Sequence, residues 1–180
     1  MFSITTPRLI LRDLQPEDEP AMRALRTDPV VTRHIDYIAS ESDEQVHAWV
    51  VETIRHNAML PRFAYNLTIV RHGDGATLGW IGIGRGDDQE RGEMDFGYAL
   101  LPAYWGQGYT SEALGALLDF VFGELGVARV YGECDADNPA SARVMEKAGM
   151  RRDPQGEPCD TLRYALSREE WRADRAGAST

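Results

Sequence analysis

Two glycines one residue apart, Gly106 and Gly108, stand between a strand-like run, Met94 to Leu101, and a run whose apolar residues recur at helical spacing, Leu114, Leu117, Leu118, Val121, Phe122 and Leu125. Glycine lets the backbone approach a ligand closely and take left-handed dihedrals. The N–H groups of the first helical turn, around Tyr109 to Glu112, have no acceptor inside the helix, and together with the helix dipole they favour a phosphate. The same residues also suit a plain strand-to-helix turn in which glycine serves packing, and Gly106-Gln107-Gly108 alone does not separate the two. No Gly-Lys-Ser or Gly-Lys-Thr follows, which excludes the phosphate loop of nucleotidases. The third glycine of a dinucleotide fingerprint is also missing.

Three other groups have the types for proton chemistry. Glu93 and Asp95 lie two apart on one expected strand and so share a face. They read either as carboxylates that collect an amine or take its proton, or as a solvated pair beside a turn. Ser141, three residues after Asn138 at an expected helix start, reads by itself as an ordinary first-turn residue. Arg143 and Lys147, one helical turn apart, read first as exposed helix charges, with a nucleotide phosphate as the alternative. His34, His47, His56 and His72 do not cluster at ligand spacing, nor do Cys134 and Cys159, so no metal is expected.

The elements that must position these groups follow from local signals. Arg8 to Arg12 is an expected strand, followed by a helix entered through Pro16 with Glu17, Asp18 and Glu19 at its positive end, which stops before Pro29. Val30 to Ala39 reads as a loop holding Arg33, His34 and Tyr37, which line an entrance in a functional reading. Ser42 to Gln45 is a capping box ahead of Val46, Trp49, Val50 and Ile54, so a second helix starts there. Arg62 to Val70 and Thr77 to Gly84 read as a hairpin through His72-Gly-Asp-Gly75, and Gly84 to Gly92 as a wetter turn before the strand Glu93 to Leu101. After the helix of about residues 109 to 124 come a strand from Ala128 to Cys134, a helix from Asn138 to near Gly149, and two closing strands, Met150 to Arg152 and Leu162 to Leu166. Residues 1–171 are expected to form one domain and 172–180 to fray.

Composition narrows the class. At 180 residues, 43% hydrophobic and 27% charged, the chain has enough material for one folded core. A formal charge of −10 opposes a general nucleic-acid or anionic-membrane partner and favours a cationic one, such as a protonated amine or a basic peptide. No charged-then-apolar leader opens the chain and no apolar run spans a bilayer, so two free thiols in a cytoplasmic setting are expected.

Two separated motifs, Trp105-Gly-Gln-Gly-Tyr-Thr-Ser-Glu-Ala113 and Asn138-Pro-Ala-Ser-Ala-Arg-Val-Met-Glu-Lys-Ala-Gly-Met150, together resemble the GCN5-related N-acetyltransferases, and more closely their RimJ/RimL-like branch. The likeness extends from Thr6-Pro-Arg-Leu-Ile-Leu-Arg12 to Arg168-Glu-Glu-Trp171. It implies an α/β fold with a mixed, twisted sheet of six to seven strands, helices on both faces and a V-shaped splay between two parallel strands. Acetyl-CoA would lie in that splay. Its pantetheine would meet backbone at Ala99, Leu100 and Leu101 and the side chain of Asn138, its pyrophosphate the amides of Gly106, Gln107, Gly108, Tyr109, Thr110 and Ser111, and its sulfur Ser141. Asp95 falls where this branch often has an acidic residue. At Met145 many family members carry a tyrosine proposed as general acid, so that acid is absent and Ser141 is the candidate in its place. The implied activity is acetyl transfer to a primary amine by direct attack in a ternary complex, first of all to a protein or peptide N-terminus. A small polyamine-like or aminoglycoside-like acceptor, or a non-enzymatic acyl-CoA sensor, is the alternative. A homodimer is compatible with the sequence.

Overall fold

The structure, a computed structural model, describes residues 1–35, 41–85, 92–154 and 160–177. Tyr37, Cys159 and most of the turn before Glu93 lie outside the described residues. Among the described residues, eight strands form one mixed sheet: β1 (Ser3–Thr5), β2 (Leu9–Asp13), β3 (Ala64–Arg71), β4 (Thr77–Arg85), β5 (Glu93–Leu100), β6 (Arg129–Asp135), β7 (Arg151–Arg152) and β8 (Thr161–Ser167). Their order across the sheet is β1-β2-β3-β4-β5-β6-β8-β7. The expectation of six or seven strands misses β1, whose three residues carry no periodic pattern of their own and are held by pairing Ser3 with Arg12 and Thr5 with Ile10.

Among the described residues, six α-helices accompany the sheet: α1 (Glu19–Thr27), α2 (Pro29–Thr32), α3 (Asp43–Asn57), α4 (Tyr109–Phe120), α5 (Pro139–Lys147) and α6 (Arg168–Gly177). The capping box starts α3 as expected: Gln45 N–H donates to Ser42 Oγ, and Ser42 N–H to Gln45 Oε1. Where a loop is expected after Pro29, one short helix forms instead. Pro29 occupies its first turn, and Asp28 Oδ1 accepts from Val30 N–H at 2.8 Å. The tail also departs from expectation, because α6 continues past Trp171 to Gly177. Trp171 is docked, its Nε1–H donating to Asp119 at 3.0 Å and its ring 5.6 Å from that of Phe122.

The two faces of the sheet have separate cores. On one, Leu114, Leu117, Leu118 and Phe122 of the α4 region and Ala142 and Met145 of α5 pack on Leu67, Ile81, Met94, Phe96 and Val130. On the other, Met22 and Leu25 of α1, Val31 of α2 and Val50 of α3 pack toward Ala99, with Trp49 and Trp80 at the margin. Alternation along β5 therefore sends Met94, Phe96 and Tyr98 to the α4/α5 face and Glu93, Asp95 and Gly97 to the α1/α3 face.

The feature that shapes the site is an incomplete pairing. β5 and β6 run parallel and pair only from Glu93↔Arg129 to Asp95↔Tyr131, whereas β5 stays paired to β4 through Leu100 and β6 to β8 through Asp135. Beyond Asp95 the sheet opens into a V. At its apex the Phe96 ring lies over Gly132, where a Cβ would stand 2.3 Å from the ring tip. Gly132→Ala is therefore expected to displace a buried ring and destabilise the fold by about 1–3 kcal/mol, read from urea unfolding.

Candidate active site

The site is built where β5 hands the chain to α4. Leu101 N–H donates to Leu78 O at 2.9 Å. Alternation along this antiparallel ladder turns the backbone groups of Ala99 and Leu101 toward β4, and those of Tyr98 and Leu100 toward the splay. Of the three expected pantetheine-facing residues only Leu100 thus presents its backbone to the opening, and its carbonyl already accepts the Trp105 indole N–H at 2.7 Å. Tyr98 also presents its backbone to the opening.

Gly106 and Gly108 both have positive φ, +71° and +78°. Gly108 is the N-cap of α4 and has no side chain to close the helix end, so the N–H groups of Tyr109, Thr110 and Ser111 are left for an external anion. Gln107 is turned back on the loop, its side chain donating to Ala103 O at 3.0 Å. Two arginines that the sequence reading does not single out flank this turn. Arg8 donates to Gln107 O at 3.0 Å and to Glu112 at 2.6 Å, and lies 4.6 Å over the Tyr109 ring. Arg71 lies over the Tyr104 ring, paired with Asp74, whose carboxyl that guanidinium holds at about 2. Thr6 and Arg8 together hold Glu112, and burial of that carboxyl is outweighed by these donors, so its pKa is lowered. Thr6 and Arg8 lie 106 and 104 residues from Glu112, and only the Thr6-Pro-Arg8 motif hints at them.

Across the splay, Asn138 caps α5, its Oδ1 accepting from Ser141 N–H at 3.1 Å. Ser141 Oγ lies 2.8 Å from the Tyr98 hydroxyl, whose distance to Ser141 O is 3.2 Å. Burial pushes the Tyr98 phenol up to about 12 against the opposing effect of this hydrogen bond, so it is protonated at every physiological pH. Burial likewise raises the Cys134 thiol, which also faces Ser141. Met145 is fully buried in the core.

The carboxylates are not equivalent. Glu93 accepts from Arg129 at 2.9 Å, and the same guanidinium pairs with Asp153, so Glu93 closes the bottom of the V instead of standing beside Asp95 as a second acid–base group. Asp95 belongs to the last pair before the opening and is exposed on the α1/α3 face, opposite to Tyr98. Three residues of strand place it about 10 Å from Tyr98. His34, unclustered in the sequence, meets Asp135 at 2.9 Å and Asp137 at 3.4 Å, linking the end of α2 to the open end of β6. Arg33 also pairs with Asp137.

A splayed parallel pair, a glycine-capped helix N-terminus and a second capped helix across the gap define an acyl-CoA-type transferase cleft. Comparison with known proteins agrees: residues 8–151 match the acetyltransferase (GNAT) domain, and the chain belongs to that family. It is 30% identical to the Bacillus subtilis N-acetyltransferase YnaD over 93% of this chain and 98% of that one. It is 28% identical to an FsC-acetyl coenzyme A-N(2)-transacetylase of Aspergillus fumigatus over 94% of this chain and 77% of the other. A Bacillus anthracis GNAT-family acetyltransferase structure superposes with a TM-score of 0.80 at 27% identity, covering 93% and 99% of the two chains. At the level of fold alone, the chain is similar to RimL, a ribosomal L7/L12 α-N-protein acetyltransferase in complex with coenzyme A, with TM-score 0.76, 20% identity and coverage of 92% and 98%. It is similar in the same way to a Vibrio cholerae spermidine N-acetyltransferase with CoA and spermine, with TM-score 0.78, 16% identity and coverage of 92% and 99%. The protein is an acetyltransferase of this family.

Gly108→Val tests the phosphate end of the cleft. A β-branched residue at φ +78° is strained, and its Cβ would face the Arg8 guanidinium at 3.6 Å. The expected outcome is a folded protein whose affinity for CoA, measured by calorimetry, is at least about tenfold weaker.

Proposed function

We propose that the protein transfers the acetyl group of acetyl-CoA to a primary amine, and that the amine is the N-terminus of a protein or peptide. The observation that carries this reading is the asymmetry of the splay: half-buried hydroxyls at Tyr98 and Ser141 on one face, and on the other a solvent-exposed carboxylate at Asp95, with Glu93 tied to Arg129. A lysine-type amine of pKa near 10.4 is about one part in a thousand neutral near pH 7.4, whereas an α-amine of 7.7–8.0 is neutral to roughly a quarter. Only the α-amine reacts well at a site where no buried base stands among the described residues. The amides after Gly108 would hold the pyrophosphate, with Arg8 and Arg71 beside them, and Leu100 and Tyr98 would offer backbone to the pantetheine. The Asn138 cap uses Oδ1, so a pantetheine contact falls to Nδ2. The amine attacks the thioester carbon directly, and Ser141 hydrogen-bonds the departing sulfur. On this reading the setting is cytoplasmic, where a buried thiol such as Cys134 stays reduced.

A small polyamine-like acceptor is the second reading, favoured by the acidic groups near the cleft, Asp95, Asp135 and Asp137, and by the charge of −10. Release of CoA thiol with a peptide bearing a free N-terminus, the same peptide N-blocked but carrying lysine, and spermidine decides between them. The free N-terminus is expected to give the highest kcat/KM. A preference for spermidine would establish the second reading, and no release with any amine would leave an acyl-CoA sensor.

Two substitutions separate the faces. Ser141→Ala is expected to lower kcat about 10- to 1000-fold with little change in acetyl-CoA affinity, seen in steady-state kinetics. Asp95→Asn is expected to raise the acceptor KM several-fold at low salt. That effect should fade near physiological ionic strength, where charges beyond about 8 Å are screened. The rate should rise with pH as the amine loses its proton. A kcat loss independent of salt, recovering at high pH, would instead make Asp95 the base.

A further inference from the structure

We propose that Tyr98 is a positioning residue of the transfer reaction: its hydroxyl holds that of Ser141 so that the serine hydrogen is directed at the cofactor sulfur. The proposal rests on the reading that acetyl-CoA lies in the splay with its thioester at Ser141.

The geometry restricts where protons go. Tyr98 Oη lies 2.8 Å from Ser141 Oγ and 3.2 Å from Ser141 O, and a carbonyl oxygen only accepts. Either hydroxyl can donate in the 2.8 Å contact; in the arrangement the proposal uses, Tyr98 donates to Oγ, and the serine hydrogen is the one left for a third partner. Tyr98 comes from β5 and Ser141 from α5, the two elements that flank the opening on the α4/α5 face. The other group beside Ser141 Oγ is the Cys134 thiol. Burial keeps it neutral, and a neutral thiol is a weak acceptor that does not compete well for the serine proton. Asp135, Glu146 and Arg152 act on that thiol from further away. Met145, in the same core, offers no proton at all.

Magnitudes decide between positioning and outright acid catalysis. A phenol raised to about 12 facing a thiol of about 8.5 would give up its proton against a ratio of more than three powers of ten. The proton stays on Tyr98, and the hydrogen bond is what acts. In the step itself the amine nitrogen bonds the acetyl carbon and the carbon–sulfur bond breaks, its electron pair going to sulfur. The sulfur accepts the Ser141 hydrogen bond and then takes a proton through solvent to balance the one the nitrogen loses. Tyr98 and Ser141 end as they began.

A double-mutant cycle tests the coupling. Tyr98→Phe is expected to lower kcat about 10- to 100-fold, to leave KM for acetyl-CoA and the melting temperature nearly unchanged, and to have less than about a twofold effect in the Ser141→Ala background. A full-rate Tyr98→Phe enzyme, or equal losses in both backgrounds, overturns the proposal. A second measurement needs no acceptor: ultraviolet titration of CoA bound to each protein, read against the CoA-free protein. Donation by Ser141 stabilises the thiolate, so Tyr98→Phe is expected to raise the bound thiol's pKa by about one unit. An unchanged value overturns the proposal, and CoA that does not bind overturns it together with the cleft assignment. A protein that shows the shift and releases thiol with spermidine alone contradicts only the acceptor reading, whereas one that releases no thiol with any amine overturns the transfer reading and this proposal with it.

Discussion

Everything at the site depends on three residue pairs. The sheet consists of two parts, β1 to β5 and β6-β8-β7, each paired internally along its length and joined only from Glu93↔Arg129 to Asp95↔Tyr131. Backbone polar groups left without partners in a protein interior are costly, so an open strand edge persists only where water or a ligand can reach it. The outer pairings of β5 with β4 and β6 with β8 keep both edges straight while they diverge. Arg129 holds the closed end by bridging Glu93 on β5 and Asp153 after β7. A residue read as catalytic thus becomes part of the hinge that makes the cleft.

The second constraint is electrostatic. A chain of charge −10 that binds a polyanion needs its cationic groups concentrated at one place. The uncapped start of α4, with Arg8 and Arg71 beside the turn, provides that at the α4 side, while Asp95 and the Asp135/Asp137 pair with His34 stand on other parts of the splay. Because exposed charges are screened over about 8–10 Å, each region acts mainly through the charges nearest to it. The division also suits a reaction in which an anionic donor and a cationic acceptor meet from different sides.

What the sequence determined by itself was local. The Ser42/Gln45 box, the Asn138-Pro139 helix start and the positive-φ glycines before α4 follow from groups within four residues of one another, and the structure shows each of them. The paired motifs were enough for the family, because their order and spacing reflect the whole architecture. Local signals also mislead where one residue has two uses. Pro29 reads as a helix stop, yet with Asp28 as cap it starts α2, and the polar stretch after Trp171 stays helical because that indole is docked on α4.

Only the tertiary structure decided which chemistry each group has. Glu93 and Asp95 look equivalent from spacing, but Arg129, 36 residues away, takes Glu93, while Asp95 belongs to the last pair before the opening and is exposed. Tyr98 reads as one more aromatic in a strand until the fold brings Ser141, 43 residues on, to 2.8 Å and burial keeps its proton in place. His34 reaches Asp135 across 101 residues, and Arg8 reaches Glu112 across 104. The physical reason is the same in each case: protonation, donor direction and ion pairing depend on distances of a few ångströms and on burial, and between elements both are set by packing, which spacing along the chain does not encode.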